Sequence, residues 1–292
     1  MSEAAGLPME PLVQRKRSIR KAIGSNRIAA GAALVLVLII LLAALAPWLD
    51  LGDPEKMNTP NRLLAPGEAG LMGSDKFGRD VFSRILFGTR ISMVVGVAAV
   101  LVAAAVGTLI GLIAGYLGSW QEYITMRVMD VLFSFPSIVL AILIVSIIGA
   151  GFPSIVLAIA LVQTPIFARI VRGSTLTVKN IEYVHAAEAS GATTWLILRR
   201  HVLPNVAAPI LVQLALSMSG AITMEAALSY LGLGAIPPTP SLGSMLSENR
   251  SSMEIAPWTV LYPGLALALI VLSINMFGDA VRDYMDPRIR KG

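Results

Sequence analysis

The sequence predicts an all-α membrane protein with six membrane-spanning helices. Hydrophobic residues make up 55% of the 292 residues, charged residues only 14%, and the mean hydropathy is +0.74. This composition carries more apolar surface than one soluble core can bury. Uncharged runs approaching the roughly 20 apolar residues of a spanning helix recur along the chain. The net charge of +5 comes from basic residues beside these runs, which indicates membrane orientation rather than nucleic-acid binding.

The first apolar run, residues 28–49, follows a basic segment and predicts the first spanning helix. Residues 1–27 are therefore expected to be a cytoplasmic tail. A cleaved signal peptide is the alternative, because the Ala44-Leu45-Ala46 sequence resembles a cleavage site. The run is longer than the roughly 7–15 apolar residues of a signal peptide, so we expect a retained span. Cleavage would leave the sidedness of the other spans unchanged.

Residues 50–90 predict an extracytoplasmic loop, because their acidic and basic residues cancel. The end of this loop, residues 73–90, mixes Phe77, Phe82, Ile85 and Leu86 with charges at near-helical spacing. That pattern is typical of a helix lying in the membrane interface. A helix packed on the outer rim of the protein itself gives the same pattern.

Five further spans are predicted at residues 91–117, 131–152, 153–168, 206–233 and 255–278. Gly107, Gly111 and Gly115 recur every four residues, a small-residue ridge that lets membrane helices approach closely. The basic excess in residues 169–205 places that loop in the cytoplasm, and residues 280–292 form a second cytoplasmic tail. Both termini are then cytoplasmic. The slightly acidic turn at residues 122–130 is the exception to the charge bias.

The polar stretch of residues 182–205 predicts a helix-turn-helix that docks onto another protein. Small residues, including Ala186 and Ala187, line one helix face, Gly191 makes the turn, and Pro204 ends the second helix. Alanines permit close approach to a partner's groove.

At these residues the chain resembles the permease subunits of bacterial ABC importers. Their cytoplasmic loop reads Glu-Ala-Ala, three residues, Gly, nine residues, Ile, one residue, Leu-Pro. The positions that match are Ala186, Ala187, Gly191, Leu203 and Pro204. His185 stands at the Glu position and His201 at the Ile position. The stretch RHVLPN, residues 200–205, resembles the version found in dipeptide and oligopeptide permeases.

Three further stretches resemble the same group, in order along the chain. They are GSDKFGRDVFSR at residues 73–84, EAALSYLGLGAIPPTPSLGSML at residues 225–246 and FGDAVRDYMDPR at residues 277–288. The resemblance runs from about residue 25 to the end. It is greatest to the C-type subunit of the dipeptide, oligopeptide and nickel permease group, which has a long first outside loop.

The resemblance implies a type I ABC importer permease fold. It also implies a second homologous permease, two ATP-binding subunits and an extracytoplasmic solute-binding protein as partners, in the bacterial inner membrane. The cytoplasmic loop would couple to the ATPases. The residues expected to carry that coupling are His185, Ala186, Ala187, Glu188, Gly191, Arg199, Arg200, His201, Leu203 and Pro204. The chain has no phosphate-binding G-x-x-x-x-G-K-[ST] loop, so ATP and Mg are expected in the partner ATPases and no cofactor or catalysis in this chain.

Glu225, Gln213 and Asn275 lie inside predicted spans and are candidates for the translocation pathway or its gate. An ionised group at mid-membrane costs about 2.5–3.5 kcal/mol, so Glu225 should face protein or water. Hydrogen bonding between helices is the alternative role for each residue. With no cysteine and two histidines without a carboxylate pattern, no metal site is predicted.

The sequence therefore predicts a subunit of an ATP-driven importer of dipeptides or oligopeptides. Importers of nickel chelates, glutathione or antimicrobial peptides share this architecture and remain alternatives. An ion-coupled secondary transporter is a more distant one, because paired broken helices in two related halves are not seen. A membrane enzyme is disfavoured, because no nucleophile, base and orienting group can be assembled from the spans.

Overall fold

The computed structural model describes residues 27–49 and 51–285, which form helices joined by loops. The predicted tail 1–27 lies outside this part except for Arg27, and of the tail 280–292 only residues 280–285 lie inside it. Ten α-helices can be delimited here. They are α1 (Arg27–Leu45), α2 (Val81–Leu117), α3 (Ser119–Ser134), α4 (Ser137–Ile148), α5 (Phe152–Lys179), α6 (Glu182–Ala189), α7 (Thr194–Ile197), α8 (Leu203–Tyr230), α9 (Leu242–Glu248) and α10 (Trp258–Met285).

The apolar helices match the six predicted spans. Four helices of the described part are long and apolar enough to cross a membrane: α2, α5, α10 and the continuous stretch Thr194–Tyr230. The bent pair α3 and α4 makes a fifth span if counted as one. The sixth apolar helix is α1, whose 19 residues pack along α10. At about 1.5 Å per residue, α1 approaches the thickness of the hydrocarbon core.

The glycine ridge joins α2 to α5, the most extensively packed pair of helices in the described part. A Cβ atom on Gly107 would lie 2.5 Å from the Cβ of Phe167, and one on Gly111 2.6 Å from the carbonyl oxygen of Ala168. One on Gly115 would meet the Cβ of Thr175 at 2.8 Å. Only glycine fits such contacts, so the predicted close approach is confirmed. We call this contact the glycine seam.

Three apolar clusters follow one another along the bundle. The central cluster packs α2, α4, α5 and α8, with Val95, Ile159 and Phe167 among its buried members. A second cluster lies where α6 and α7 meet the ends of α2 and α5, which we call the α6 end. A third lies at the opposite end, where α9 packs against α2, α8 and α10; we call this the α9 end.

The second span begins ten residues earlier than predicted. Residues 73–80 are not helical, and residues 81–90 are the first turns of α2 rather than a separate interfacial helix. Asp80 caps α2, because its side chain accepts a hydrogen bond from the Ser83 amide at 2.6 Å. The charged Arg84 suggested an interfacial position, yet it is fully buried among protein groups. The segment therefore packs on the protein itself, as the alternative expectation had it.

The third span is two helices rather than one. Helix α3 starts at Ser119 and includes the predicted polar turn at residues 122–130, and α4 leaves it at an angle of 96°. The break falls at Phe135, which is extended at φ −84 and ψ 140 before Pro136. A proline disfavours the helical conformation of the residue before it, which explains the bend.

Two other boundaries differ at the α6 end. Helix α5 continues to Lys179, eleven residues past the predicted end, because Arg169 and Arg172 find carboxylate partners on α3. Pro204 does not end a helix: the chain is helical from Thr194 to Tyr230. A π-helical turn, Leu198–Val202, precedes the proline. Because proline has no amide hydrogen to donate, the pattern of backbone hydrogen bonds changes at this turn while the helix continues.

The segment between the last two predicted spans, residues 234–254, contains a helix that was not predicted. Helix α9 begins with a capping box between Ser241 and Ser244. It packs tightly: a Cβ on Gly243 would lie 2.1 Å from the carbonyl oxygen of Ala226 on α8. The first turns of α2 also approach α9, since a Cβ on Gly88 would lie 3.2 Å from the Ser241 carbonyl carbon.

Candidate functional site

The predicted helix-turn-helix at the α6 end is formed by α6 and α7. Gly191 has φ +78, the left-handed conformation that favours glycine. The Gly191 amide donates to the Glu188 carbonyl at 2.9 Å, and the Ala192 amide donates to the Ala187 carbonyl at 3.1 Å. This pair of bonds is the Schellman motif that ends helices at a glycine. The predicted turn at Gly191 is confirmed.

Helix α6 lies on the surface of the bundle with almost all of its side chains outward. Val184 is its buried residue, in contact with the ends of α2, α5 and α8. His185, Ala186 and Glu188 are exposed. Large apolar side chains are exposed beside them: Ile181, Tyr183, Trp195 and Leu196. Helix α6 has eight residues and buries one side chain, so its own packing stabilises it little. Its exposed apolar surface is suited to contact with another protein.

The remaining predicted loop residues follow α7. Arg199 and Arg200 are exposed on the π-helical turn, and Leu203 and Pro204 begin α8. The His201 ring lies 6.0 Å from the Tyr183 ring, tilted by 42°. This contact brings the two parts of the predicted motif together across the turn.

A polar cluster connects α6 to the end of α2. The Tyr116 hydroxyl donates to Glu188 Oε1 at 2.6 Å, and His185 Nδ1 lies 3.4 Å from Glu188 Oε2. The hydrogen bond from Tyr116, followed by the contact with His185, lowers the pKa of the Glu188 carboxyl. Lys179 Nζ donates to the Tyr116 carbonyl oxygen at 2.6 Å, which caps the C-terminal end of α2. Tyr116 and Lys179 were not predicted as members of this site, since both precede residues 182–205, where the coupling residues were sought.

A charged cleft of ≈ 660 Å³ lies between α3 and α5 at the same end. Arg169 pairs with Asp130 at 2.8 Å, and Arg172 Nε donates to Glu122 Oε1 at 2.6 Å. Arg127 stacks on the Tyr123 ring, with 5.1 Å between the guanidinium carbon and the ring centroid. These pairs hold α3 across α5 and are partly exposed to solvent.

The candidate pathway residues occupy three different surroundings. Glu225 is fully buried; the Ser229 hydroxyl donates to its Oε1 at 2.7 Å, while Oε2 and the nearby Ser92 hydroxyl are left without a hydrogen-bond partner. Gln213 donates to the Ser217 hydroxyl one turn along the same helix at 2.8 Å. Asn275 is exposed on α10. The structure does not bring these three residues into one site.

A buried charged cluster at the α9 end was not predicted. Arg79 Nε lies 2.7 Å from Asp75 Oδ2, and Arg79 also pairs with Glu248 on α9. Arg84 lies 3.7 Å from Asp75 and 3.6 Å from Glu248, and its Nη1 donates to the Pro54 carbonyl at 2.9 Å. The cluster fastens the loop before α2 to α9. Arg79 and Glu248 are 169 residues apart in the chain, so no local sequence signal reveals this pair.

The model of one protein family matches residues 107–291. Its description is "Binding-protein-dependent transport system inner membrane component". The match covers more than half of the chain and includes all of the predicted coupling residues.

Two curated relatives match nearly the whole chain. A dipeptide transport system permease protein, DppC of Alkalihalophilus pseudofirmus, is 43% identical over 94% of this chain and 90% of its own length. A glutathione transport system permease protein, GsiD of Pectobacterium atrosepticum, is 45% identical over 91% of this chain and 88% of its own length.

Solved structures of the MetNI methionine ABC transporter in inward-facing conformations share the fold. In one crystal form the chain aligns with a TM-score of 0.55 and 18% identity, covering 69% of this chain and 96% of the other. A second crystal form gives a TM-score of 0.51 at 19% identity. At these identities the likeness concerns the fold alone.

Proposed function

We propose a function on the premise that the chain belongs to the binding-protein-dependent transport system inner membrane component family, and is thus a membrane-spanning permease subunit of an ABC importer. It forms half of the pore through which dipeptides or oligopeptides enter the cell. It lies in the bacterial inner membrane with both termini, and so the α6 end, in the cytoplasm.

The observation that carries the proposal is the exposed surface of α6. This helix presents His185, Ala186 and Glu188 outward, beside the exposed side chain of Trp195. A large exposed apolar surface next to charged groups marks a protein contact. An ATP-binding subunit is the partner that fits the family. The loop residues from His185 to Pro204, including Arg199 and Arg200, form the contact, while ATP and Mg bind in that subunit and this chain is not catalytic.

The other partners follow from the same premise. A second homologous permease completes the pore, a second ATP-binding subunit drives it, and an extracytoplasmic solute-binding protein delivers the peptide to the α9 end. Glu225 is closer to the α9 end, where the Gly234 backbone packs against Ser229. A buried carboxyl group there suits a structural or gating role, and Gln213 and Asn275 serve helix packing or the pathway.

Glutathione is the second candidate substrate, since a relative named for glutathione transport is 45% identical to this chain. Glutathione is itself a tripeptide, so the two candidates share a backbone and a carboxylate. Uptake by cells that depend on this transporter separates them: competition by dipeptides alone supports the first candidate, and competition by glutathione alone supports the second.

The coupling surface is tested by Gly191→Pro, which removes the amide that bonds to Glu188 and forces φ away from +78. We expect normal membrane insertion, no transport-coupled ATP hydrolysis and little co-purified ATP-binding subunit. Gly191→Ala is the matched control: it keeps the amide and loses about 1 kcal/mol at this φ. Full coupling in Gly191→Pro would contradict the assignment.

A further inference from the structure

We propose that Tyr116, Lys179 and Glu188 form a joint that fastens α6 to the ends of α2 and α5, so that movement of α6 is passed to both spanning helices together. This inference rests on the proposed function, because it assumes that α6 receives movement from an ATP-binding subunit. Tyr116 and Glu188 act here as positioning residues.

The joint has two short polar contacts that meet at one residue. The Tyr116 side chain donates to Glu188 on α6 at 2.6 Å, and its backbone carbonyl accepts from Lys179 on α5 at 2.6 Å. The Lys179 ammonium also lies 5.4 Å from the centre of the Tyr116 ring. Tyr116 itself is buried, at 7% exposed, so the α2 side of the joint is fixed. Three helices therefore meet at a single residue.

Helix α6 needs this contact, because little else attaches it to α2. It follows α5 directly through residues 180–181, whereas Tyr116 is 72 residues away from Glu188 in the chain. Apolar packing of α6 on the bundle is limited to Val184 and the half-buried Ala187. A chain connection alone lets a short helix pivot about its hinge. The bond to Tyr116 adds a directional polar attachment to the apolar one at Val184, and so restricts that pivoting.

The glycine seam extends the effect along the membrane. Gly115 is next to Tyr116, and a Cβ on it would lie 2.8 Å from the Cβ of Thr175 on α5. Backbones this close do not slide past one another without a clash, so α2 and α5 move as one unit. A displacement that enters at Glu188 thus reaches both helices, and through them the central apolar cluster.

Glu188 is a property of this chain rather than of the family pattern. It is the first of the three unspecified residues between the Ala186-Ala187 pair and Gly191. The pattern therefore does not require a carboxylate there. The structure supplies the reason for one: a hydrogen bond to a charged acceptor is stronger than one between neutral groups.

The test compares Tyr116→Phe with Tyr123→Phe in the complete transporter in proteoliposomes. Tyr123 is exposed on α3 near the same end, and phenylalanine keeps its stacking on Arg127. We expect Tyr116→Phe to lower solute transported per ATP hydrolysed by about threefold to tenfold, the factor that one net hydrogen bond supplies. Tyr123→Phe should equal the parent. The amount of co-purified ATP-binding subunit should be the same in both.

Variants of Glu188 sharpen the result. Glu188→Ala should lose at least as much as Tyr116→Phe, and the double variant should lose no more than Glu188→Ala alone, because Tyr116→Phe removes nothing further once the carboxylate is gone. Glu188→Gln keeps an oxygen acceptor and should recover most of what Glu188→Ala loses.

Three outcomes would overturn the joint: Tyr116→Phe equal to Tyr123→Phe, additive losses in the double variant, or loss of the co-purified ATP-binding subunit in Tyr116→Phe, since the defect would then lie in docking. The proposed function survives these outcomes if Gly191→Pro still abolishes coupling. If Gly191→Pro is also fully coupled, the proposed function itself fails.

Discussion

Charged side chains are buried at the α9 end of the bundle and exposed at the α6 end. At the α9 end, Asp75 and Arg84 are fully buried and Arg79 is 2% exposed. At the α6 end, the Arg169 and Asp130 side chains are 41% and 52% exposed. A buried ion pair is held in one geometry, because any other arrangement would leave a buried charge without water or an oppositely charged partner. Exposed pairs exchange with water at little cost. The α9 end is therefore built to stay fixed, and the α6 end to rearrange.

Several breaks in the helices also lie at the α6 end. The α6 end contains the turn at Gly118, the end of α5 at Asn180, the turn at Gly191 and the π-helical turn. Each break is a point where backbone angles change without disturbing a long helix. The α9 end instead carries a capped helix, α9, locked between α2 and α8.

The largest predicted effect tests the fixed end. Asp75→Ala leaves Arg79 and Arg84 buried without their shared carboxylate, and we expect a loss of about 3–5 kcal/mol in the free energy of unfolding. Asp53→Ala is the matched control, because that carboxylate is exposed and accepts only from the nearby Glu55 amide. Denaturant titration of the detergent-solubilised protein measures both. Equal losses would remove the contrast between the two ends.

The glycine seam, which packs α2 against α5 towards the α6 end, gives the second effect. Gly111→Ala places a methyl group 2.6 Å from the Ala168 carbonyl oxygen, and overpacking of this kind costs about 1–3 kcal/mol. Gly173→Ala is the control on α5, where no atom lies within 4 Å and the helix gains about 0.5–1 kcal/mol from alanine. Thermal unfolding should thus shift in opposite directions. A shared direction would show that the seam is loose.

The adjustable end should respond less to the loss of a charge. Asp130→Asn removes the exposed pair with Arg169, for which we expect about 0.2–1 kcal/mol. The same denaturant titration measures it beside Asp75→Ala. A loss as large as that of Asp75→Ala would mean that the α6 end is as rigid as the α9 end.

The smallest predicted effect is a change in the mobility of α6 at acidic pH. The pKa of the Glu188 carboxyl is lowered in the folded protein. Ionised Glu188 therefore stabilises the folded position of α6 above the ordinary pKa of about 4.3. This stabilisation is lost as the pH falls through the lower pKa of the folded protein. A spin label at position 186 should become more mobile below about pH 4.3. In Tyr116→Phe the label should be mobile at neutral pH already, with a smaller change in acid. Identical profiles would contradict the role of the Tyr116 bond.

Apolar composition and four-residue glycine spacing were enough to predict the helical membrane fold, the seam and the turn at Gly191, because these depend on neighbours in the sequence. The predicted helix ends were wrong where a charged residue lies within a helix. Arg84, Arg169 and Arg172 were placed outside the predicted spans, yet each pairs with a carboxylate contributed by another segment. Such partners become visible only when the chain is folded. The same reason hid α9 and the Tyr116 contact with Glu188.

The length of α2 has a mechanical consequence. Its 37 residues extend about 55 Å, well beyond the roughly 30 Å of the hydrocarbon core. With one end anchored by buried charges, the helix is a lever with its fulcrum at the α9 end. A tilt of about 10° then sweeps the Tyr116 end through about 10 Å. Such a rotation would move the α6 end of α2 much further than its α9 end.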